Sequence, residues 1–167
     1  MLEAPRGYEP SAPPVFDGGT EEDRRALLRL YYDFRLANDA LDNDALRTLW
    51  SPDPRHVFFN TNGHAYEGLE DWLHIWDHYR TRLQLVKPGG SGQIRILVRG
   101  DMALVTDDHV GRYWKWMGAA EEPNFLIDKP YIRLTAVCLK QEGRWWMAHG
   151  HFSSGRTGKR PDQGGPE

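Results

Sequence analysis

The chain has 167 residues, 40% of them hydrophobic and seven of them Trp, which is one domain's length and enough apolar mass for a substantial core. Its formal charge of −3 leaves no excess of base for nucleic acid or an anionic membrane surface, and no run of about 18 apolar residues is present to cross a bilayer. The N-terminal MLEAPRGYEPSAPP lacks the basic-then-apolar order of a secretory signal, and the single Cys138, within the apolar TAVCL, excludes an internal disulfide and suits a cytoplasmic chain with a buried, inert thiol.

Residues 1–19 are rich in Pro and Gly and read as a flexible N-terminal arm. Thr20 offers an N-cap, Glu21, Glu22 and Asp23 favour the positive end of a helix dipole, and Leu27, Leu28, Tyr31, Phe34 and Ala37 follow at helical spacing to about residue 40. DNDALRTLW starts a second, short helix near Asp42 that SPDP stops. HVFFN reads as a strand, TNG as a turn and HAYEG as the return. Trp72, Trp76, Tyr79 and Leu83 stripe a third helix ending before KPGGSG. Strands follow: QIRILVR, a GD turn, MALVTDDHVGRYWKW as one long strand, a loop through GAAEEPNF, KPYIRLTAVCLKQ, an EG turn, and RWWMAHGHFS. The tail from residue 156 to 167 reads as disordered. Helices first and an antiparallel meander afterwards is an α+β arrangement, with helices on one face of a curved sheet.

Strict alternation along RWWMAHGHFS places Trp145, Met147, His149, His151 and Ser153 on one face, apolar at one end and ionisable at the other. The same rule gives Asp107 and His109 a common face of the long strand, with Asp108 opposite.

The order of elements, with NDALDNDALRTLWSPD, NTNGHAYEG and EGRWWMAHGHFS, resembles the nuclear transport factor 2-like superfamily over residues 20–155, most closely its SnoaL-like members. The resemblance implies a cone-shaped fold of three N-terminal helices on a strongly curved, mostly antiparallel sheet, dimerising through the sheet, with the His149 face turned into the cone. It also resembles the association domain of calcium/calmodulin-dependent kinase II, a binding module.

A base that works without a cofactor needs an apolar pocket that raises its pKa toward neutrality. The resemblance to the superfamily's dehydratases and dehydrochlorinases places Asp39 at their late-helix Asp; Asn38 stands where their neighbouring Tyr would be, leaving Tyr31, Tyr32 or Tyr66 to serve the cavity. Asp39 could instead cap the next helix. Asn60 matches the position where ketosteroid isomerases carry their general base, and an amide cannot take a proton, so that mechanism does not transfer and Asn60 is left to orient a substrate. His149 or His151 would pair with Asp39 as an acid–base dyad. Asp107, His109, Tyr31 and Trp145 complete the candidate substrate-binding set, with Trp rings suited to a flat aromatic or polycyclic molecule.

The resulting expectation is a cofactor-independent lyase, isomerase or cyclase acting on a small, largely apolar molecule, as a homodimer, with no metal. The rival is a non-catalytic domain that binds a small ligand or assembles subunits. A third reading gathers His149, His151 and one of Asp39, Asp107 or His109 around iron or zinc; His74 and His78 sit at i, i+4 but lack the Glu of HExxH.

Overall fold

The first helix, α1 (Glu21–Asp39), begins at a reciprocal cap: Thr20 Oγ1 accepts from the Asp23 amide at 3.1 Å while Asp23 accepts from the Thr20 amide at 3.2 Å. Asp23 also accepts from Lys140 Nζ at 2.9 Å and Trp145 Nε1 at 3.0 Å, which docks the start of α1 on the last hairpin. These bonds hold its carboxyl well below the usual carboxylate range, Lys140 contributing most. The computed structural model describes residues 2–117 and 131–155, together with Asp162.

Leu41, at φ 53°, turns the chain from α1 into α2 (Asn43–Arg47). Asn43 then ties α2 to α3 (Gly68–Arg80) through the Leu73 carbonyl at 3.2 Å and Asp77 at 2.8 Å. The strands are β1 (Val15–Asp17), β2 (Val57–Phe59), β3 (Ala65–Glu67), β4 (Leu83–Pro88), β5 (Ile94–Arg99), β6 (Met102–Val110), β7 (Arg112–Trp116), β8 (Ile132–Gln141) and β9 (Arg144–Ser154). Seven of them form a curved sheet in the order β1-β5-β6-β8-β9-β2-β3, parallel where β1 meets β5 and β2 meets β9; β4 and β7 form a separate antiparallel pair. Glu142 and Gly143, both at positive φ, make the tight turn between β8 and β9. The helices close the concave face over an aromatic core in which Trp50 meets Phe34, Phe58 and Trp72 edge-on, and Trp72 stacks on Phe152.

This is the cone-shaped α+β fold expected, with four differences. The arm is not wholly free: β1 pairs with β5 and Tyr8 is buried. The third helix ends at Arg80, so Leu83 opens a strand rather than closing a helix. The long strand breaks at Gly111, and β7 leaves the main sheet for β4. Register shifts, finally, interrupt the alternation of β6 and β9. The GAAEEPNF loop and the tail lie outside the described residues.

The break at Gly111 has a steric cause. Gly89 and Gly111 cross with backbones in contact, and a Cβ on Gly89 would stand 2.2 Å from both atoms of the Gly111 carbonyl. Gly89→Ala is therefore expected to destabilise the fold by about 2 kcal/mol or more, read as a lowered midpoint in urea denaturation.

Candidate active site

At the C-terminal end of α1 the helix periodicity brings Tyr31, Arg35 and Asn38 to one side, with Asp39 beside them. Arg35, fully buried, donates to Tyr31 Oη at 3.0 Å, Ser91 Oγ at 2.9 Å, and the carbonyls of Gly89 and Gly111 at 2.7 and 2.9 Å. Its guanidinium also lies 3.8 Å from Asp107, which accepts from the Tyr31 hydroxyl and from the amides of Gly92 and His109, both at 2.9 Å. Tyr31 and Asp107, two of the expected substrate contacts, are thus committed to a clamp that holds the 89–92 loop against β6. Desolvation raises the Tyr31 phenol above its ordinary range.

Asp39 differs. It is 2% exposed, and neither carboxylate oxygen has a hydrogen-bond partner. It does not cap the next helix: Asp42 does, accepting from the Ala45 amide at 3.0 Å. Burial drives its pKa up, against the opposing pull of Arg112 and Arg35. The Tyr8 hydroxyl and the Asn38 amide also favour its charged form from close range, without completing a bond of ordinary geometry.

Arg112 faces this carboxylate. Its guanidinium lies 5.2 Å from the Trp114 ring centroid and 5.5 Å from that of Phe152, with Nε buried and unpartnered. With the Asn38 amide oriented so that its oxygen faces the guanidinium, it accepts from both terminal nitrogens at 2.9 and 3.1 Å. Desolvation draws the Arg112 pKa down to about 10, although Asp39 works to keep it charged. An aromatic wall continues from Trp114 to Trp76 and Trp72, ring centroids 6.2 and 5.3 Å apart along that chain. The indole N–H groups of Trp50, Trp72, Trp76 and Trp114 are all buried without an acceptor. The site therefore holds surplus donors, one orphaned carboxylate and flat apolar walls.

The two histidines are not there. Val137 pairs with His149 but Cys138 pairs with Met147, so Ala148 is an extra residue that reverses the alternation of β9. Trp145 and Met147 point inward before it, Gly150 and Phe152 after it, while His149 and His151 turn to the outer face beside Phe59, at centroid distances of 5.3 and 5.4 Å. His149 Nδ1 is 2.6 Å from the Val57 carbonyl, and His151 is exposed. Neither can pair with Asp39 or join it and Asp107 around a metal. A second shift, between Asp107 and Val110 on β6, leaves Asp107 buried and puts both Asp108 and His109 in solvent. His109 stacks on Tyr131 at 4.7 Å, lining an open cleft of about 590 Å³ with Ser11, Gly92 and Arg133. Trp145 serves the Asp23 dock at the other end of α1. Asn60 is buried, its Oδ1 accepting from the Thr61 amide at 2.7 Å and its Nδ2 unpartnered. Among the described residues no group of three or more His, Cys, Asp and Glu is arranged to hold a metal ion.

The folded chain keeps a proton on Asp39 to higher pH than the unfolded chain. Ionisation above the ordinary carboxylate range near 3.9 therefore opposes folding, increasingly up to the raised pKa and constantly beyond it. Asp39→Asn, which mimics the protonated form, is expected to raise Tm by about 3 °C or more near pH 7.5 and to leave it unchanged near pH 3. Calorimetry at the two pH values checks this.

A profile of the SnoaL-like domain matches residues 26–157. In structure the chain is similar to a candidate dehydratase of the NTF2-like family from Streptomyces avermitilis, at 16% identity and TM-score 0.60, covering 82% of this chain and 99% of that one. It is similar to a candidate ketosteroid isomerase from Shewanella frigidimarina, at 18% identity and TM-score 0.52, covering 77% and 94%. It is also similar to a candidate calcium/calmodulin-dependent protein kinase type II association domain from Thiobacillus denitrificans, at 19% identity and TM-score 0.55, covering 86% and 100%. At these identities the likeness is one of fold. No protein of curated function matches the sequence.

Proposed function

Because this chain belongs to the SnoaL-like family, we propose that it is a cofactor-independent enzyme of the lyase, isomerase or cyclase type, with Asp39 as its general base. Its substrate is a small, largely apolar, aromatic or polycyclic molecule. The single observation behind this reading is the Asp39 carboxylate, buried with no hydrogen bond of ordinary geometry to either oxygen and raised in pKa by desolvation. A structural Asp in such a place would be bonded, as Asp107 is. Asp39 takes a proton from a C–H or O–H of the bound ring, and Arg112 receives the negative charge that develops on a neighbouring oxygen. No histidine takes part: the acid that returns the proton is the protonated Asp39 itself. The competing reading, a non-catalytic binding domain, draws on the burial of the Asp39 carboxylate itself, and activity separates the two.

The ring opening of 5-nitrobenzisoxazole probes a buried base directly. Removal of its C3 proton turns the C–H electron pair into the nitrile, breaks the N–O bond and releases a phenolate. We expect saturable turnover that rises with pH to a midpoint above the ordinary carboxylate range, because the ionised form is the active one. Asp39→Asn is expected to lower it by about 100-fold or more. Equal rates for variant and parent would remove Asp39 as the base.

The same proposal includes a homodimer through the convex sheet face, supported by Val15, Phe59, Met102 and Leu104, all large apolar side chains at least 36% exposed. Phe59→Glu with Leu104→Glu is expected to convert a dimer to a monomer in sedimentation velocity.

A further inference from the structure

The Asp39 carboxylate is covered by the N-terminal arm. Tyr8, 4% exposed, lies with its ring 5.3 Å from the Arg35 guanidinium and its hydroxyl close to Asp39. Gly7, at φ +89°, aims it inward while the arm passes over Pro88; a Cβ on Gly7 would stand 2.8 Å from that proline's Cβ. Burial and the neighbouring carboxylate push the Tyr8 phenol up to about 12.

Two contrasts mark this as an occupied site rather than ordinary core. The Tyr31 hydroxyl, a permanent part of the fold, is bonded to Asp107 and to Ser91, the latter at 2.9 Å. The Tyr8 hydroxyl favours the charged form of Asp39 from close range, yet it makes no bond of ordinary geometry to either carboxylate oxygen. The arm is held by Leu2 and Ala4, partly buried against the core, and by a short set of hydrogen bonds. Before β1 its links to the body include the Ser11 amide to the Ser91 carbonyl at 2.9 Å, the Ser91 amide to the Glu9 carbonyl at 3.1 Å and Gln93 Nε2 to the Pro13 carbonyl at 2.8 Å. Pro5, Pro10, Pro13 and Pro14 bring no backbone donors and keep the segment extended when it is released.

The orphaned atoms around Tyr8 define what could replace it. An ionised carboxylate only accepts, while a guanidinium Nε–H and an indole N–H only donate. One group that answers both at once is a hydroxyl, giving its proton to Asp39 and accepting from Arg112. The walls beside it, Trp114 and Phe152, suit a flat ring.

Resting on the reading of Asp39 as the reactive base, we propose that Tyr8 is a built-in occupant of the ligand site. The cone takes a planar ring compound bearing a free hydroxyl, a phenol or an enol, which displaces the arm of residues 2–14. The probe is 2-naphthol, with 2-methoxynaphthalene as the analogue that cannot donate. By calorimetric titration, Tyr8→Ala is expected to bind 2-naphthol about 10-fold tighter than the parent, with Tyr8→Phe between the two. The methoxy analogue is expected to bind Tyr8→Ala about 10-fold more weakly than 2-naphthol. In the parent protein, saturating 2-naphthol is expected to speed amide exchange across residues 2–14, a readout that does not depend on any variant folding. Equal affinity for parent and Tyr8→Ala, or an arm that keeps its protection in the saturated parent, would overturn the occupant role. Equal binding of the two naphthalenes would overturn the hydroxyl class. Each of these results is independent of the isoxazole rates, so loss of Asp39 as the base and loss of Tyr8 as the occupant are told apart.

Discussion

A guanidinium with no exposure to solvent, that of Arg35, sets the relation between the parts of this protein. It takes two backbone carbonyls, from Gly89 and Gly111, that belong to the crossing point of β4 and β7. The same group bonds Tyr31 and Ser91 and lies beside Asp107. One helix side chain therefore fastens the two-stranded pair, the 89–92 loop and β6 to α1. A buried cation is held at a net cost unless its donors are filled, and here all but Nε are. Arg112 enters β7 immediately after Gly111, so its place beside Asp39 follows from where that glycine is pinned.

Two buried acids stand near this guanidinium in opposite circumstances. Asp107 is surrounded by donors, and its role is architectural. Asp39 has cations, the Tyr8 hydroxyl and the Asn38 amide nearby, but no bond of ordinary geometry to its oxygens. Coulombic attraction without hydrogen bonds leaves a carboxylate only partly compensated for the water it has lost. That imbalance is what a proton-transferring group requires.

Much of this was legible in the sequence. The capped start of α1, the Asp42 start of α2, the first hairpin and the final pair of strands follow from caps, turns and periodicity that local chemistry dictates. Asp39 is singled out through the resemblance alone, since nothing in its local pattern announces its burial. What misled was the assumption that a strand keeps its period of two. One extra residue at Ala148 moved His149 and His151 to the outer face, and the irregularity after Asp107 separated that residue from His109. A bulge is specified by the partner strand and by what packs against it, here Leu49 and Ser51 bonding both sides of Met147, and no local pattern announces it. Arg112 did carry a signal: in RYWKW it shares a face with Trp114 and Trp116. Tyr8 carried none, since a lone aromatic in a proline-rich segment has no periodicity to place it.

The seven-stranded sheet ends on both sides in very short strands, β1 with Val15–Asp17 and β3 with Ala65–Glu67. An edge of three residues exposes few unpaired amides and carbonyls, too few to template the addition of a foreign strand. The borders at which another sheet would join this one end to end are thus trimmed. Addition of a strand at either border of this sheet is thereby disfavoured, and with it open-ended growth of the sheet into fibres.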